Sequence, residues 1–217
     1  MNLSEFIIND VPPVDINQPI NHIQKSFNQL TYSHIPVEQN GRFIGCISEN
    51  DTHCLDANKT IEEYLYTIER FFVSPHTNWL DVLEAFAQNA SNIMPVLKED
   101  KYIGYYELKD IISLFDQTPF FYEAGAVLIV QKGAKDYSFS EISQIVESNN
   151  VKLLGAFITK YDNDLVQITL KISNSGLSEI MQTFRRYSYD VIAGHEEDSY
   201  IESLKDRSEY LRKYLNI

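Results

Sequence analysis

Gly45-Cys46-Ile47-Ser48-Glu49-Asn50-Asp51 is the stretch that decides the fold of this 217-residue chain, because its outline returns as Gly104-Tyr105-Tyr106-Glu107-Leu108-Lys109-Asp110, 59 residues later. Working outward, the same offset pairs Ile44 with Ile103, Val37 with Val96, Pro36 with Pro95, Phe27 with Phe86, Val14 with Val73 and Leu55 with Leu114, without a gap. The matches fall at structurally equivalent points: a Pro-Val pair opening a strand, an Ile-Gly pair inside the next, then an acid and a Leu. Two copies of one supersecondary unit follow, each too small to bury its apolar face alone.

Within each copy the periodicity reads β-α-β-β-α. Ile20, Ile23, Phe27 and Leu30 recur at helical spacing, as do Trp79, Val82 and Phe86. Ile35-Pro36-Val37 and Phe43-Ile44-Gly45-Cys46-Ile47 flank an Asn40-Gly41 turn, a hairpin signal, and Met94-Pro95-Val96 and Tyr102-Ile103-Gly104-Tyr105 flank Glu99-Asp100. Short helices carry Asp51 to Leu55 and Asp110 to Leu114. Helical lead-ins are expected over Leu3 to Ile8 and Thr60 to Tyr66, the second with capping-box spacing between Thr60 and Glu63.

This half of the chain, residues 3 to 116, resembles the paired CBS domain, or Bateman module. The likeness rests on the element order, the Pro-Val strand starts and the motif Gly-h-x-Ser/Thr-x-x-Asp. The first copy matches the motif fully from Gly45 to Asp51, and the second keeps Gly104 and Asp110 but has Glu107 at the hydroxyl position. The resemblance implies an adenine nucleotide such as AMP or ATP, or an adenosyl ligand, as regulatory ligand. Ser48 and Asp51 would then hold ribose or phosphate at one site and Asp110 ribose at the other, since a carboxylate accepts from both ribose hydroxyls. Ile35, Val37, Met94 and Val96 would wall the adenine slots. Arg42, its repeat mate Lys101, His53 and Lys109 are the nearest candidates for a phosphate tail. Glu107 would repel an anionic tail, leaving the second site empty or suited to a neutral or cationic derivative such as S-adenosylmethionine. The bare residues also allow Ser48, Asp51 and Asp110 to serve simply as helix caps. The Gly before the hydroxyl residue is expected to let a ligand approach the backbone.

Beyond Leu114 a second pattern begins. Asp116-Gln117-Thr118-Pro119 breaks the helix, and Phe120-Phe121-Tyr122 is expected to pack between domains. Then come an apolar strand over Ala126 to Val130, a helix face of Phe139, Ile142, Ile145 and Val146 with Ser138 and Glu141 as capping box, and a strand over Val151 to Thr159. A turn at Asp162-Asn163-Asp164 leads to Val166, Ile168, Leu170 and Ile172 alternating with polar residues, followed by a helix face of Leu177, Ile180, Met181 and Phe184 and a closing strand at Tyr189 to Ile192. This β-α-β-β-α-β order is the ferredoxin-like split unit and resembles an ACT domain, a module that senses amino acids; a CBS pair before an ACT domain is an arrangement of acetoin-utilisation-type regulatory proteins. Effector-binding ACT domains carry a Gly near where Tyr137-Ser138-Phe139 stands, and Gly133 comes too early, which implies a fold used for pairing. The expected architecture is therefore mixed α and β: CBS repeats at 1–59 and 60–117, a linker at 118–125, an ACT-like domain at 126–194 and a C-terminal helix at 195–217, with Ser199 and Glu202 at its start.

Composition sets outer bounds. The net charge of −13 opposes nucleic-acid and anionic-membrane partners, and no stretch is apolar enough for a span or a signal peptide, so a cytoplasmic location is expected. Cys46 and Cys54 form no disulfide framework or metal spacing. The five histidines and eight glycines make no metal, phosphate-loop or nucleophile motif; the run His195-Glu196-Glu197-Asp198 reads as a solvated loop. The expectation is a non-enzymatic, homodimeric sensor acting on a protein target still to be found, against the alternative of a dimeric scaffold with vestigial pockets.

Overall fold

The computed structural model describes residues 3–173 and 176–193, which fall into two compact units, Met1–Asp116 and Gln117–Ile217. The expected C-terminal helix, its Ser199–Glu202 cap and the His195–Asp198 run lie outside the described residues.

In the first unit, β1 (Val14–Asp15), α1 (Ile20–Phe27), β2 (His34–Gln39), β3 (Arg42–Ser48) and α2 (Glu49–Cys54) form copy one. In copy two, Val73 makes an isolated parallel bridge, followed by α3 (Trp79–Gln88), β4 (Ile93–Lys98), β5 (Lys101–Glu107) and α4 (Leu108–Asp116). The pairing repeats to the residue: Val14 pairs in parallel with Val37 and Val73 with Val96, while Val37 opposes Gly45 and Val96 opposes Gly104, each next to the same bulge. Both hairpins turn through two residues of positive φ, Asn40-Gly41 and Glu99-Asp100, the backbone that a two-residue hairpin needs to match strand twist.

The lead-ins differ from expectation. Only Leu3–Phe6 and Ile61–Thr67 are helical, both of the tighter 3-10 kind, because the residues beyond them are claimed by strand pairing. Ile8 exchanges two backbone hydrogen bonds with Tyr105, at 2.9 and 2.8 Å, and Glu69 does so with Cys46, at 2.8 and 2.9 Å. Each lead-in thus reaches across to the other copy's hairpin. This reciprocal exchange, with Phe43 and Cys46 of copy one packed into the apolar core around Val82, Phe86, Met94, Val96 and Ile111, joins the halves. Copy one's own core is Ile20, Ile23, Phe27, Ile35, Val37, Ile47 and Ile61. Near the internal twofold, repeat mates meet: Ser33 N donates to Asn92 Oδ1 at 2.8 Å and Asn92 N donates to Ser33 Oγ at 3.0 Å, while Phe43 and Tyr102 stack 6.2 Å apart.

The second unit holds α5 (Pro119–Tyr122), β6 (Gly125–Gly133), α6 (Phe139–Ser148), β7 (Leu153–Asp162), β8 (Leu165–Ser173), α7 (Leu177–Arg186) and β9 (Asp190–Ala193), with strand order β7-β8-β6-β9 and every pair antiparallel. That order is the ferredoxin-like one. Val166, Ile168, Leu170 and Ile172 alternate inward at 0% exposure against the apolar faces of α6 and α7. Phe120 packs within this unit, against Gly155 and 5.9 Å from the Phe157 ring.

Candidate functional site

The motif glycines correct the sequence reading first. A Cβ on Gly45 would lie 2.6 Å from the Glu69 carbonyl oxygen, and one on Gly104 would collide with that of Ile8. The backbone that needs the missing side chain is the exchanged lead-in, not a ligand.

Ser48 is the N-cap of α2: its Oγ accepts from Asp51 N at 3.0 Å and donates to Asp51 Oδ2 at 2.9 Å. The pair is therefore brought together, in a cap that leaves Asp51 Oδ1 without a hydrogen-bond partner among the described residues. Thr52 Oγ1 locks the same turn by donating to Ser48 O at 2.7 Å. Ser48 opposes His34 in the hairpin, and the neighbouring pair is Ile47 with Ile35.

Ile35 forms one wall of a cavity of about 300 Å³ whose other walls are Asp10, Val11, Pro12, Pro13 and Val14 ahead of and within β1, and Gln18, His22, Ser26, Gln29 and Leu30 along α1 and its ends. Among the expected slot residues, Ile35 alone lines this cavity. Val37, Met94 and Val96 are 0% exposed and belong to the packed cores. The walls that sequence reasoning missed carried two signals: Pro12-Pro13, an extended pair immediately before a strand, and Gln18, His22, Ser26 and Gln29, a polar stripe at helical spacing beside the apolar one.

In copy two the cap position is filled differently. Glu107 is 8% exposed, its Oε1 accepting from Tyr32 Oη at 2.8 Å and its Oε2 ion-paired with Lys109. Tyr32 Oη lies 2.7 Å from Tyr105 Oη, which donates to Asp10 Oδ1 at 2.6 Å. Burial pushes both phenols above their ordinary pKa, so they stay neutral, with the Asp10 bond adding to the effect at Tyr105 and the bond from Tyr105 opposing it at Tyr32. Two hydroxyl protons serve three contacts, so with Tyr32 donating to Glu107 and Tyr105 to Asp10 the contact between the two hydroxyls is left without a proton of its own. It joins Asp10, a wall of the first cavity, to Glu107 and Lys109, which line a smaller one of about 180 Å³ with Thr31, Tyr32 and Asn92. Asp110 stands half-buried in the first turn of α4.

The expected phosphate ligands scatter. His53 is exposed on α2, 3.8 Å from Glu49. Lys109 serves Glu107. Arg42 and Lys101 sit at the turn ends of their hairpins, and six residues of extended strand, on the order of 20 Å, separate Arg42 from Ser48. Arg42 thus stands at the far end of β3 from the Ser48–Asp51 cap. Arg42 and Lys101 instead line a third cavity, of about 450 Å³, with Arg70, Phe43 and the opposing turn.

In the second unit the start of α6 is closed by the chain itself. Ser138 N donates to Tyr189 Oη at 3.3 Å, Lys132 Nζ lies 4.2 Å from the Tyr189 ring centroid, and Glu141 turns away from the capping box to pair with Lys132 at 2.7 Å. Burial pushes the Tyr189 phenol up to about 12.

Residues 3–51 and 61–116 match the CBS domain family model. Similar solved structures include a CBS domain pair/ACT domain protein from Thermotoga maritima, 20% identical over 53% of this chain and 96% of that one with a TM-score of 0.48. CBSX2 in complex with AMP is 15% identical over 54% and 96%, TM-score 0.46, and the cytosolic domain of the Mg2+ channel MgtE in complex with ATP is 17% identical over 50% and 46%, TM-score 0.44. No curated protein matches the chain. From its repeated hairpins, exchanged lead-ins and family match, the N-terminal unit is a tandem CBS domain pair.

Proposed function

We propose that the chain is a regulatory rather than catalytic protein whose CBS pair binds an adenine nucleotide or adenosyl compound in the first copy. The observation that carries this reading is the cavity beside Ile35, apolar on the Val11-Pro12-Pro13-Val14 side and at Leu30, next to the strand pair that leads into the Ser48–Asp51 cap. An adenine fits the apolar walls, and Asp51, already held in place by Ser48, supplies the acceptor for ribose hydroxyls. The second copy, with Glu107 tied into the tyrosine chain, is read as a site adapted away from anionic ligands, with Asp110 its remaining ribose acceptor and S-adenosylmethionine the candidate of matching charge. Ligand at the first cavity biases a homodimer of CBS pairs and passes that bias to the ACT-like unit and a protein target, the arrangement of acetoin-utilisation-type regulators. Among the described residues no helix is long and apolar enough to cross a membrane, and a cytoplasmic sensor is the reading adopted.

Thermal shifts with AMP, ATP and S-adenosylmethionine test it. A ligand at 100 times its Kd should stabilise by about 2.7 kcal/mol. Asp51→Ala should weaken the responding ligand about ten- to a hundredfold, as loss of a charge-assisted hydrogen bond does. Silence from all three compounds would favour the dimeric scaffold with vestigial pockets.

A further inference from the structure

The cavity between the two hairpin turns is assembled from both copies. Arg42 and Lys101, repeat mates, come from the turn ends of β3 and β5, and Arg70 comes from the exchanged lead-in that pairs with Cys46 through Glu69. Each cation neighbours an inward aromatic ring: Phe43 and Phe71 are 8% and 7% exposed, and Tyr102 stacks on Phe43. Arg42, Arg70 and Lys101 are themselves exposed, with Phe43 on the inner wall of the cavity they line. Residues 3–116 hold seven Lys and Arg against 17 Asp and Glu, so chance would surround a cavity here with acid. Three of the seven cations line this one, and none of the three has a carboxylate within 4 Å among the described residues. Glu99 and Asp100 stand on the same wall, held at φ of 51° and 64° by the turn.

The geometry points to a further ligand site in this cavity, distinct from the proposed adenosyl cleft, for a small phosphate-bearing and hydroxyl-rich molecule of the sugar phosphate class. Arg42, Arg70 and Lys101 take the phosphate by charge-assisted hydrogen bonds, and Glu99 and Asp100 accept from the hydroxyls. The volume, about 450 Å³, suits a pentose phosphate. Because the walls come from both halves, an occupant would hold the hairpins against each other at the end of the pair opposite the Ser48 cap.

The test is calorimetric titration of the full chain with ribose 5-phosphate, and with inorganic phosphate as reference, at low ionic strength. Saturable binding of ribose 5-phosphate is expected, weaker in higher salt and reduced about tenfold by Arg70→Gln and by Lys101→Gln, each removing one charged donor. Glu99→Gln with Asp100→Asn should abolish the preference for ribose 5-phosphate over phosphate. Asp51→Ala should leave this binding unchanged while weakening the adenosyl ligand, so the two sites fail separately. The cationic side chains are exposed, so the variants should melt as the wild type does without ligand. Absence of saturation up to about 10 mM, indifference to Arg70→Gln and Lys101→Gln, or loss of binding in Asp51→Ala would each overturn the assignment.

Discussion

His34 is 5% exposed at the start of β2, its Nδ1 2.8 Å from Ser33 Oγ and its Nε2 3.6 Å from the Glu69 carboxylate of the exchanged lead-in. Burial lowers its pKa below the ordinary value near 6.5, while Glu69 and, less strongly, Asp51 pull the other way without prevailing. A histidine whose folded pKa is depressed stabilises fully above its unfolded pKa, and that contribution is lost as pH falls toward the folded value. Urea unfolding should therefore show stability declining from pH 7 to pH 5.5, and His34→Gln should flatten that slope; an unchanged slope would remove His34 from the account. Tyr32 offers a second residue-scale test. Tyr32→Phe takes a donor from buried Glu107 and breaks the path to Asp10, and should cost about 1–3 kcal/mol in chemical denaturation. From sequence, Glu107 was legible as a departure from the motif. Its partner was not, because Tyr32 and Glu107 are 75 residues apart and meet only when the two copies close.

Among the elements, the hairpins carry the strongest local information. Asn40-Gly41 suits its positive φ angles, whereas Glu99 and Asp100 occupy the left-handed region with side chains attached, at roughly 1–2 kcal/mol for an ordinary residue. Replacing them by Asn-Gly should raise stability by about 1 kcal/mol, seen as a higher denaturation midpoint with an unchanged m-value. At Gly45 the outcome runs the other way. Gly45→Ala places a Cβ against the Glu69 carbonyl at positive φ and should destabilise by more than about 2 kcal/mol, enough to push apart the exchanged pairing. The glycine is legible in the sequence as a motif position, but its purpose is not, because the strand that crosses it arrives from the other copy. The lead-ins depart from their sequence pattern for the same reason: their helical spacing is real for one turn, and tertiary pairing of Ile8 and Glu69 overrides it beyond.

For the whole molecule, the two units have separate apolar cores, one around Val82, Phe86 and Met94 with its copy-one neighbour, the other around Leu128, Ile168 and Phe184. A fragment ending at Asp116 should then unfold in one cooperative transition, whereas a fragment ending after copy one, at residue 59, should not fold, since Phe43 and Cys46 lose the core they fill. Equal cooperativity of both fragments would contradict the exchange. Periodicity and turn chemistry by themselves determined the duplication, the two hairpins and the β-α-β-β-α-β order of the second unit, because those signals are short-range and written in neighbouring residues. Only the tertiary structure decided which of the candidate residues stand together: that Ser48 and Asp51 close one cap, that Arg42 and Lys101 meet Arg70 some 20 Å along the strands instead, and that of Ile35, Val37, Met94 and Val96 it is Ile35 that lines the first cavity. The cause is distance along the chain, since cavities are walled by segments whose approach depends on packing of the two halves and leaves no trace in either half alone.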